Sequence, residues 1–193
     1  MKAKGPGQSA LLLLDIIGAL QKRRISYAIV GAFAASFYGV VRASMDADAV
    51  ISLQTGETDV TTLLGDLRRH PLKVVYRKGD WKDPIGAVIN VEDNFGNRVD
   101  LLMSIRGMSE GLFARTVEAK FMEARIRLVG IEDFIAMKVF AASPKDLNDA
   151  MGVLKISYDR VNLMLLKELA LKYGKPALRQ LQSLLKDAGL SAV

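Results

Sequence analysis

The stretch of residues 27–53, YAIVGAFAASFYGVVRASMDADAVISL, constrains the fold of this chain more than any other part of it. Residues 27–30 form a short apolar run that predicts a strand, and Gly31 follows it directly. Small side chains at 32–38 predict a helical turn, and a second apolar run at 49–53 predicts another strand. The stretch therefore predicts two strands joined by a glycine turn and a short helix.

Two acidic residues, Asp46 and Asp48, lead into the second predicted strand. Because side chains alternate along a strand, both carboxylates lie on the same face. They repel each other unless a hard cation such as Mg²⁺ lies between them, held also by substrate phosphates. Gly31 permits a ligand to approach the backbone, and the helix start after it offers N–H groups to an anion. Taken alone, an Asp-x-Asp pair is usually a solvated strand end, and a glycine after a strand is usually a turn.

The segment Gly39-Val-Val-Arg-Ala-Ser-Met-Asp-Ala-Asp48 resembles the nucleotidyltransferase superfamily of DNA polymerase beta, in the form found in its abortive-infection toxin and minimal nucleotidyltransferase branches. The resemblance implies that Asp46 and Asp48 bind Mg²⁺ or Mn²⁺ and that a nucleoside triphosphate is bound. It also implies nucleotide-binding roles for Gly31, Ala32, Arg42 and Ser44. Ala32 stands where the family has serine or glycine, so the backbone donor is kept and a hydroxyl that would reach a phosphate is lost.

A third carboxylate, Asp100, lies inside the apolar run of residues 99–103 on a predicted strand. Alternation places it on the face opposite to Val99, Leu101 and Met103. An acid in such a run is costly to bury unless it is paired or bound to a metal. The polymerase beta pattern implies a third carboxylate after the Asp-x-Asp pair, which makes Asp100 a metal ligand or a proton acceptor. A salt bridge to a core arginine is the alternative.

A lysine and two acids follow in the predicted helices. Lys138 lies on or beside the apolar face of a helix predicted at 131–142, where its ammonium can snorkel to water or reach into the site. The run of residues 130–149 resembles the abortive-infection branch, which implies that Lys138 and Asp146 support the nucleotide site. The residues before Asp146 also have the pattern of a helix N-cap, so Asp146 and Asp149 are evenly balanced between structure and function.

The element pattern and the resemblance together predict an α+β fold: a nucleotidyltransferase-like mixed sheet flanked by helices, with a C-terminal helical bundle. Alternating runs predict hairpins around residues 94–97 and 122–123. The composition changes at Gly130, which predicts an α/β core at 1–130, its first residues a loose tail, and a helical region packed on it at 131–193. The only tryptophan, Trp81, falls in a predicted polar loop, where it can stack on a base but more commonly caps the core.

Composition narrows the class of protein. The 193 residues include no cysteine, which excludes disulfides and thiolate metal sites and fits the cytoplasm. The apolar run at 10–14 is too short to span a bilayer, so no membrane partner is expected. The net charge of +6 suits an anionic ligand such as a nucleotide or RNA, and it equally suits an ordinary basic protein.

These features predict a metal-dependent nucleotidyltransferase with the catalytic residues Asp46, Asp48, Asp100 and Lys138. They leave the acceptor open among RNA, a protein and a small hydroxylated molecule, and they leave the oligomeric state open. The alternative is a catalytically weak nucleotide- or partner-binding module, such as the antitoxin half of a toxin–antitoxin pair. A stable partner protein would favour that alternative, and unaided transfer to RNA would argue against it.

Overall fold

The computed structural model describes residues 2–53 and 59–190. Its α-helices are α1 (Ser9–Lys22), α2 (Gly31–Phe37), α3 (Val60–Arg68), α4 (Ile131–Ala141), α5 (Pro144–Ser157), α6 (Leu163–Lys172) and α7 (Lys175–Asp187). Its strands are β1 (Ser26–Ile29), β2 (Asp46–Ser52), β3 (Lys73–Lys78), β4 (Ile85–Glu92), β5 (Arg98–Ile105), β6 (Val117–Phe121) and β7 (Ala124–Leu128). Short 3-10 helices span Glu110–Arg115 and Tyr158–Arg160. Over these residues, no helix has the length and apolar character needed to cross a membrane.

Seven strands of the described residues form one mixed sheet in the order β3-β4-β5-β2-β1-β7-β6. β2 pairs in parallel with β5, and β1 pairs in parallel with β7. The other neighbours are antiparallel, and they include the predicted hairpins β4–β5 and β6–β7. The predicted α+β class with a mixed sheet is confirmed.

The chain folds into two compact units, each built from three segments. The segments of unit 1 are Met1–Phe33, Ala43–Arg106 and Val117–Leu128. The segments of unit 2 are Ala34–Arg42, Gly107–Thr116 and Val129–Val193. Unit 1 thus contains the whole sheet, and unit 2 contains the helices after the last strand. The division of the chain into domains at residue 130 stays a prediction.

Helix α1 packs on the sheet of unit 1 through an apolar stripe. Its side chains Leu13, Ile16 and Leu20 are fully buried, and the helix contacts β1, β2 and β5. The segment that precedes α1 is anchored by Asn97. The Gln8 N–H donates to Oδ1 of Asn97 at 2.6 Å, and Nδ2 of Asn97 donates to the Gly5 carbonyl oxygen at 2.9 Å. Part of the predicted tail is therefore tied to the β4–β5 turn.

The two faces of the sheet differ along β4 and β5. Fully buried side chains such as Ile89 and Leu101 alternate with partly exposed ones such as Asn90 and Asp100. This alternation makes one face the core of unit 1 and leaves the other partly open to solvent. This partly open face carries Asp100, the predicted third carboxylate.

Helix α4 lies at the centre of unit 2, in contact with α5, α6 and α7. Its apolar side chains Phe134 and Val139 are buried among them. The Tyr38 hydroxyl is buried in the same unit and donates to the Val129 carbonyl oxygen at 2.6 Å. Burial raises the pKa of the Tyr38 hydroxyl to about 12. The contacts of α4 with the three helices that follow it show that the C-terminal helices form the predicted bundle.

Candidate functional site

Three carboxylates lie on neighbouring strands of unit 1. The parallel register of β2 and β5 places Asp48 directly opposite Asp100. Neighbouring strands are about 4.8 Å apart, so these two acidic side chains lie side by side on the partly open face of the sheet. Asp46 precedes Asp48 by two residues on β2, where it shares that face and is exposed to solvent. The structure therefore brings the three predicted acids together at the start of two adjacent strands.

Gly31 lies at the turn from β1 into α2, and its backbone is left-handed, with a φ of +64°. A Cβ atom added there would lie 2.1 Å from Oδ2 of Asp48, far inside the contact distance of two non-bonded atoms. The preceding residue is tied to the same strand, because the Val30 N–H donates to the Asp48 carbonyl oxygen at 2.9 Å. Glycine is therefore needed at this turn as long as Asp48 keeps its position.

Replacing Gly31 by alanine is expected to destabilise unit 1 and to displace the Asp48 carboxylate. Gly96→Ala is the matched control, because Gly96 also has a positive φ, +76°, but an added Cβ would meet nothing within 4 Å. Both variants carry the cost of a left-handed alanine, about 1–2 kcal/mol. Gly31→Ala should lose about 1–3 kcal/mol more, because the new methyl group overpacks the site. Urea unfolding measures the difference, and equal losses in the two variants would contradict the close approach.

Two neutral side chains orient the acids. The Ser44 hydroxyl donates to Oδ1 of Asp46 at 2.6 Å, and Nδ2 of Asn90 donates to Oδ1 of Asp100 at 2.7 Å. Ser44 was predicted to bind nucleotide, which stays a prediction, and Asn90 was missed. The signal for Asn90 was a polar side chain at an outward position of an alternating strand, next to an antiparallel partner that carries an acid. Within residues 2–53 and 59–190, Asp100 forms no ion pair, so the alternative of a salt bridge to a core arginine is not observed.

The acids of unit 1 suit a cation that arrives together with its substrate. Among the described residues, no group of three His, Cys, Asp or Glu side chains is close enough together to hold a metal ion by itself. Mg²⁺ does not need such a set, because it is usually held by one or two carboxylates, several waters and substrate phosphates. The facing pair Asp48 and Asp100, with Asp46 beside it, supplies hard oxygen ligands of that kind. The donor set therefore fits Mg²⁺ or Mn²⁺.

Unit 2 contains a second polar group, which we call the Lys138 cluster: Arg42, Lys138, Asp146 and Asp149. Nζ of Lys138 lies 2.6 Å from Oδ1 of Asp146 and 3.0 Å from Oδ2 of Asp149. The Arg42 guanidinium binds Asp149 through two hydrogen bonds, of 2.9 and 3.0 Å. Lys138 and Asp149 are buried, with 9% and 2% of their surfaces exposed. Two cations and two carboxylates cancel, so the cluster is neutral and each buried charge is paired.

The position of Asp146 fits the structural alternative for this residue. Ser143 is the N-cap of α5, with Pro144 at the first helical position, and the Ser143 hydroxyl oxygen accepts a hydrogen bond from the Asp146 N–H at 3.2 Å. That hydroxyl also donates to the Asp146 carboxylate. The Asp146 carboxylate thus binds both the capping hydroxyl of Ser143 and the ammonium of Lys138. The role of Asp146 in nucleotide binding stays a prediction.

The stability of the protein is expected to fall in acid partly because of Asp149. Burial acts to raise the pKa of Asp149, but hydrogen bonds from Arg42 and Lys138 outweigh it and hold the pKa below its usual value. A lowered folded-state pKa means that this carboxylate stabilises the fold above the unfolded value of about 3.9, and that the contribution is lost as the pH falls through the folded pKa.

Urea unfolding of wild type and Asp149→Asn between about pH 6 and pH 3 tests this. The wild type should lose more stability than the variant over that range, because only the wild type has this carboxylate to protonate. Parallel pH profiles of the two proteins would contradict it.

No protein-family model and no curated protein sequence matches the chain. Several solved structures do match its fold. The crystal structure of ANT(2")-Ia in complex with adenylyl-2"-tobramycin aligns with a TM-score of 0.58 and 15% identity, over 84% of this chain and 94% of that one. An antigenic nucleotidyltransferase-like protein from Paracoccidioides brasiliensis aligns with a TM-score of 0.53 and 13% identity, over 96% and 91% of the two chains.

A third solved structure, the lincomycin-bound lincosamide antibiotic adenylyltransferase LnuA, aligns with a TM-score of 0.50 and 10% identity, over 80% of this chain and 99% of that one. Identities this low show a common fold and nothing finer. The chain has the polymerase beta-type nucleotidyltransferase fold that its sequence resembles. The narrower resemblance to the abortive-infection branch stays a prediction.

Proposed function

We propose that this chain, which has the fold of polymerase beta-type nucleotidyltransferases, moves a nucleoside monophosphate from a nucleoside triphosphate to an acceptor hydroxyl with the help of a divalent metal. The observation that carries the proposal is the register of β2 and β5, which sets Asp48 opposite Asp100 with Asp46 on the same face. A pair of carboxylates facing each other across two strands, with a third on the same face, supplies the hard oxygen ligands that metal-dependent phosphoryl transfer uses.

The proposal gives the acids two roles. Asp46 and Asp48 would hold Mg²⁺ or Mn²⁺. Asp100 would either be a further ligand of the metal or accept the proton of the attacking hydroxyl. When bound, the metal neutralises charge on the transferring phosphoryl group and its leaving oxygen. Asn90 acts as a positioning residue, because its amide donates to Oδ1 of Asp100 and fixes the direction of that carboxylate.

The residues proposed to bind nucleotide fall into two groups. Gly31 and Ala32 would bring the main chain at the β1–α2 turn close to a phosphate, and Ser44 supports Asp46. Arg42 and Lys138 carry the positive charge, but both are already paired with carboxylates in the Lys138 cluster. Binding a phosphate there therefore requires these cations to exchange a carboxylate partner for a phosphate oxygen, with Asp146 the more accessible partner to release.

Thermal unfolding with each of the four ribonucleoside triphosphates, with and without Mg²⁺ or Mn²⁺, tests the proposal. A ligand at about 100 times its Kd stabilises the folded state by about 2.7 kcal/mol. For a chain of this size, that is a rise in Tm of roughly 5–10 °C. We expect a metal-dependent rise with at least one nucleotide in wild type and none in Asp46→Asn. A rise that persists in the variant, or that needs no metal, would contradict these roles of the acids.

The second proposal is a nucleotide- or partner-binding module that acts within a toxin–antitoxin pair in the cytoplasm. It is favoured by Ala32, which lacks the hydroxyl of the family pattern, and by the neutrality of the Lys138 cluster. No thermal shift with any nucleotide, together with a protein that co-purifies stably, would support this second function. Transfer of a labelled nucleotide to RNA by the isolated chain would exclude it.

A further inference from the structure

The loop between β3 and β4 presents the only tryptophan of the chain to solvent. Trp81 is 83% exposed, so the prediction that it caps the core is wrong. Tryptophan is enriched at binding interfaces, because its ring is large and apolar while its N–H can still donate a hydrogen bond. Nζ of Lys82 lies 5.1 Å from the centre of the ring, so a cation accompanies it.

Hydrogen bonds order the backbone of the loop that carries Trp81. Nη2 of Arg106 donates to the carbonyl oxygens of Trp81 and Asp83, at 2.6 and 2.9 Å. The Asp83 carboxylate accepts from the Asp80 N–H at 2.7 Å, and the Asp80 carboxylate accepts from the Lys82 N–H at 2.7 Å. These bonds hold the backbone on both sides of the ring. A loop backbone that is already ordered does not have to be ordered when a ligand binds, which lowers the entropic cost of binding.

Positive charge lies on this loop, at the end of β3 and just beyond the end of β5. Arg77, Lys78, Lys82 and Arg106 are exposed, and together with Trp81 they define what we call the Trp81 surface. Among the residues that the structure describes, none of these four cations is in an ion pair. The two acids of the loop are occupied with backbone N–H groups. Four cations against two acids leave a local charge of +2 beside an exposed aromatic face.

We propose that the Trp81 surface binds single-stranded nucleic acid, with a base stacked on Trp81 and phosphates on the surrounding cations. Stacking on an aromatic side chain combined with a positive groove is how single strands are held without sequence preference. A membrane or an apolar protein anchor needs several exposed apolar side chains next to one another. Trp81 is the only large apolar side chain of residues 79–84, and Val75 and Tyr76 on the neighbouring strand expose only 36% and 37% of their surfaces, so these partners fit less well. This inference goes beyond the proposed function and does not depend on it.

The Trp81 surface lies on the same unit as the three carboxylates. Arg77 pairs with Val88 on β4, and Val88 pairs with Leu102 on β5, two residues from Asp100. Because residues two apart on a strand share a face, Arg77 and Asp100 are on the same side of the sheet. Arg77 is therefore a cation of the Trp81 surface that the register places on the same face of the sheet as the acids.

Intrinsic fluorescence tests this binding directly, because Trp81 is the sole tryptophan of the full chain. We would titrate the protein with single-stranded RNA and DNA of about ten nucleotides, within the site sizes known for such surfaces. EDTA is present and nucleoside triphosphate is absent, so the result is independent of nucleotidyl transfer. The expected result is saturable quenching that weakens as salt is added. RNA and DNA of the same sequence distinguish a surface that reads the 2′-hydroxyl from one that reads only bases and phosphates.

Variants separate stacking from charge, with binding followed by the anisotropy of a labelled oligonucleotide. Trp81→Ala should weaken binding by roughly 5- to 100-fold, the loss of one stacked base. Lys82→Gln should reduce the slope of log K against log salt by about 0.7, the value for one phosphate contact on a single strand. Lys186→Gln, an equal charge change on α7, is the control and should alter affinity by less than about two-fold.

Three outcomes would overturn the proposal. The first is fluorescence that does not change with either nucleic acid at low salt. The second is binding that Trp81→Ala leaves as tight as in wild type. The third is quenching by vesicles of phosphatidylcholine and phosphatidylserine without quenching by nucleic acid, which would make this face a membrane-surface contact instead.

Discussion

Replacing Asp46 by asparagine is expected to abolish transfer of the nucleoside monophosphate while the protein keeps its fold. Asp46 is exposed, and the asparagine oxygen can still accept the hydrogen bond of the Ser44 hydroxyl. What is lost is one negative charge on the face shared with Asp48 and Asp100, and with it one of the proposed ligands of the metal. We expect a loss of roughly 10²- to 10³-fold in rate, the scale of removing one preorganised electrostatic group. Release of pyrophosphate from a labelled nucleoside triphosphate measures it.

Asp15→Asn is the matched control for this prediction, because Asp15 is an exposed acid of unit 1 on α1, away from the start of β2. Both variants should unfold within about 0.5 kcal/mol of wild type, as surface substitutions usually do. Only Asp46→Asn should lose transfer. Equal activity in the two variants would remove Asp46 from the mechanism, and a large loss of stability in Asp46→Asn would mean that the lost activity reports on folding.

Replacing Asp149 by alanine is expected to destabilise the protein more than any other single change considered for this chain. The Asp149 side chain is buried and is the shared partner of Arg42 and Lys138. Without it, the buried Lys138 keeps only Asp146, and the Arg42 guanidinium loses both of its hydrogen bonds to the carboxylate. Removing one partner of a buried pair costs about 3–5 kcal/mol, because a charge is left uncompensated.

Thermal unfolding should show this loss as a fall in Tm of roughly 6–20 °C, at about 2–4 °C per kcal/mol for a protein of this length. Asp159→Ala is the control, since Asp159 is an exposed acid of the same unit and its loss should be nearly neutral. The double variant Lys138→Met, Asp149→Ala should recover part of the stability by removing a stranded cation. A fall in Tm of less than about 2 °C in Asp149→Ala would show that the cluster is solvated and contributes little.

The Asp46→Asn variant also separates the two proposed functions. An enzyme whose acids hold a metal loses transfer in this variant at unchanged stability, whereas a module that binds a partner protein keeps that partner.

The sequence by itself was enough for features that depend on neighbours along the chain. Alternation along a strand predicted that Asp46 and Asp48 share a face. It also predicted that Asp100 and Leu101 point to different faces, and the burial pattern of the strands agrees with both predictions. The helix-capping pattern before Asp146 is present as predicted. These features follow from the fixed geometry of strands and helix starts, which is set within a few residues.

The register that places Asp48 opposite Asp100 was decided only by the tertiary structure. The two residues are far apart in sequence, and strand order and parallel pairing depend on contacts that no local pattern specifies. The same holds for Asn90, for the shared pairing of Lys138 with two acids, and for the loop of Trp81, whose backbone is bound by Arg106 from just beyond the end of β5. The sequence determined which side chains face the same way along one strand, and the fold determined which of them meet across strands and helices.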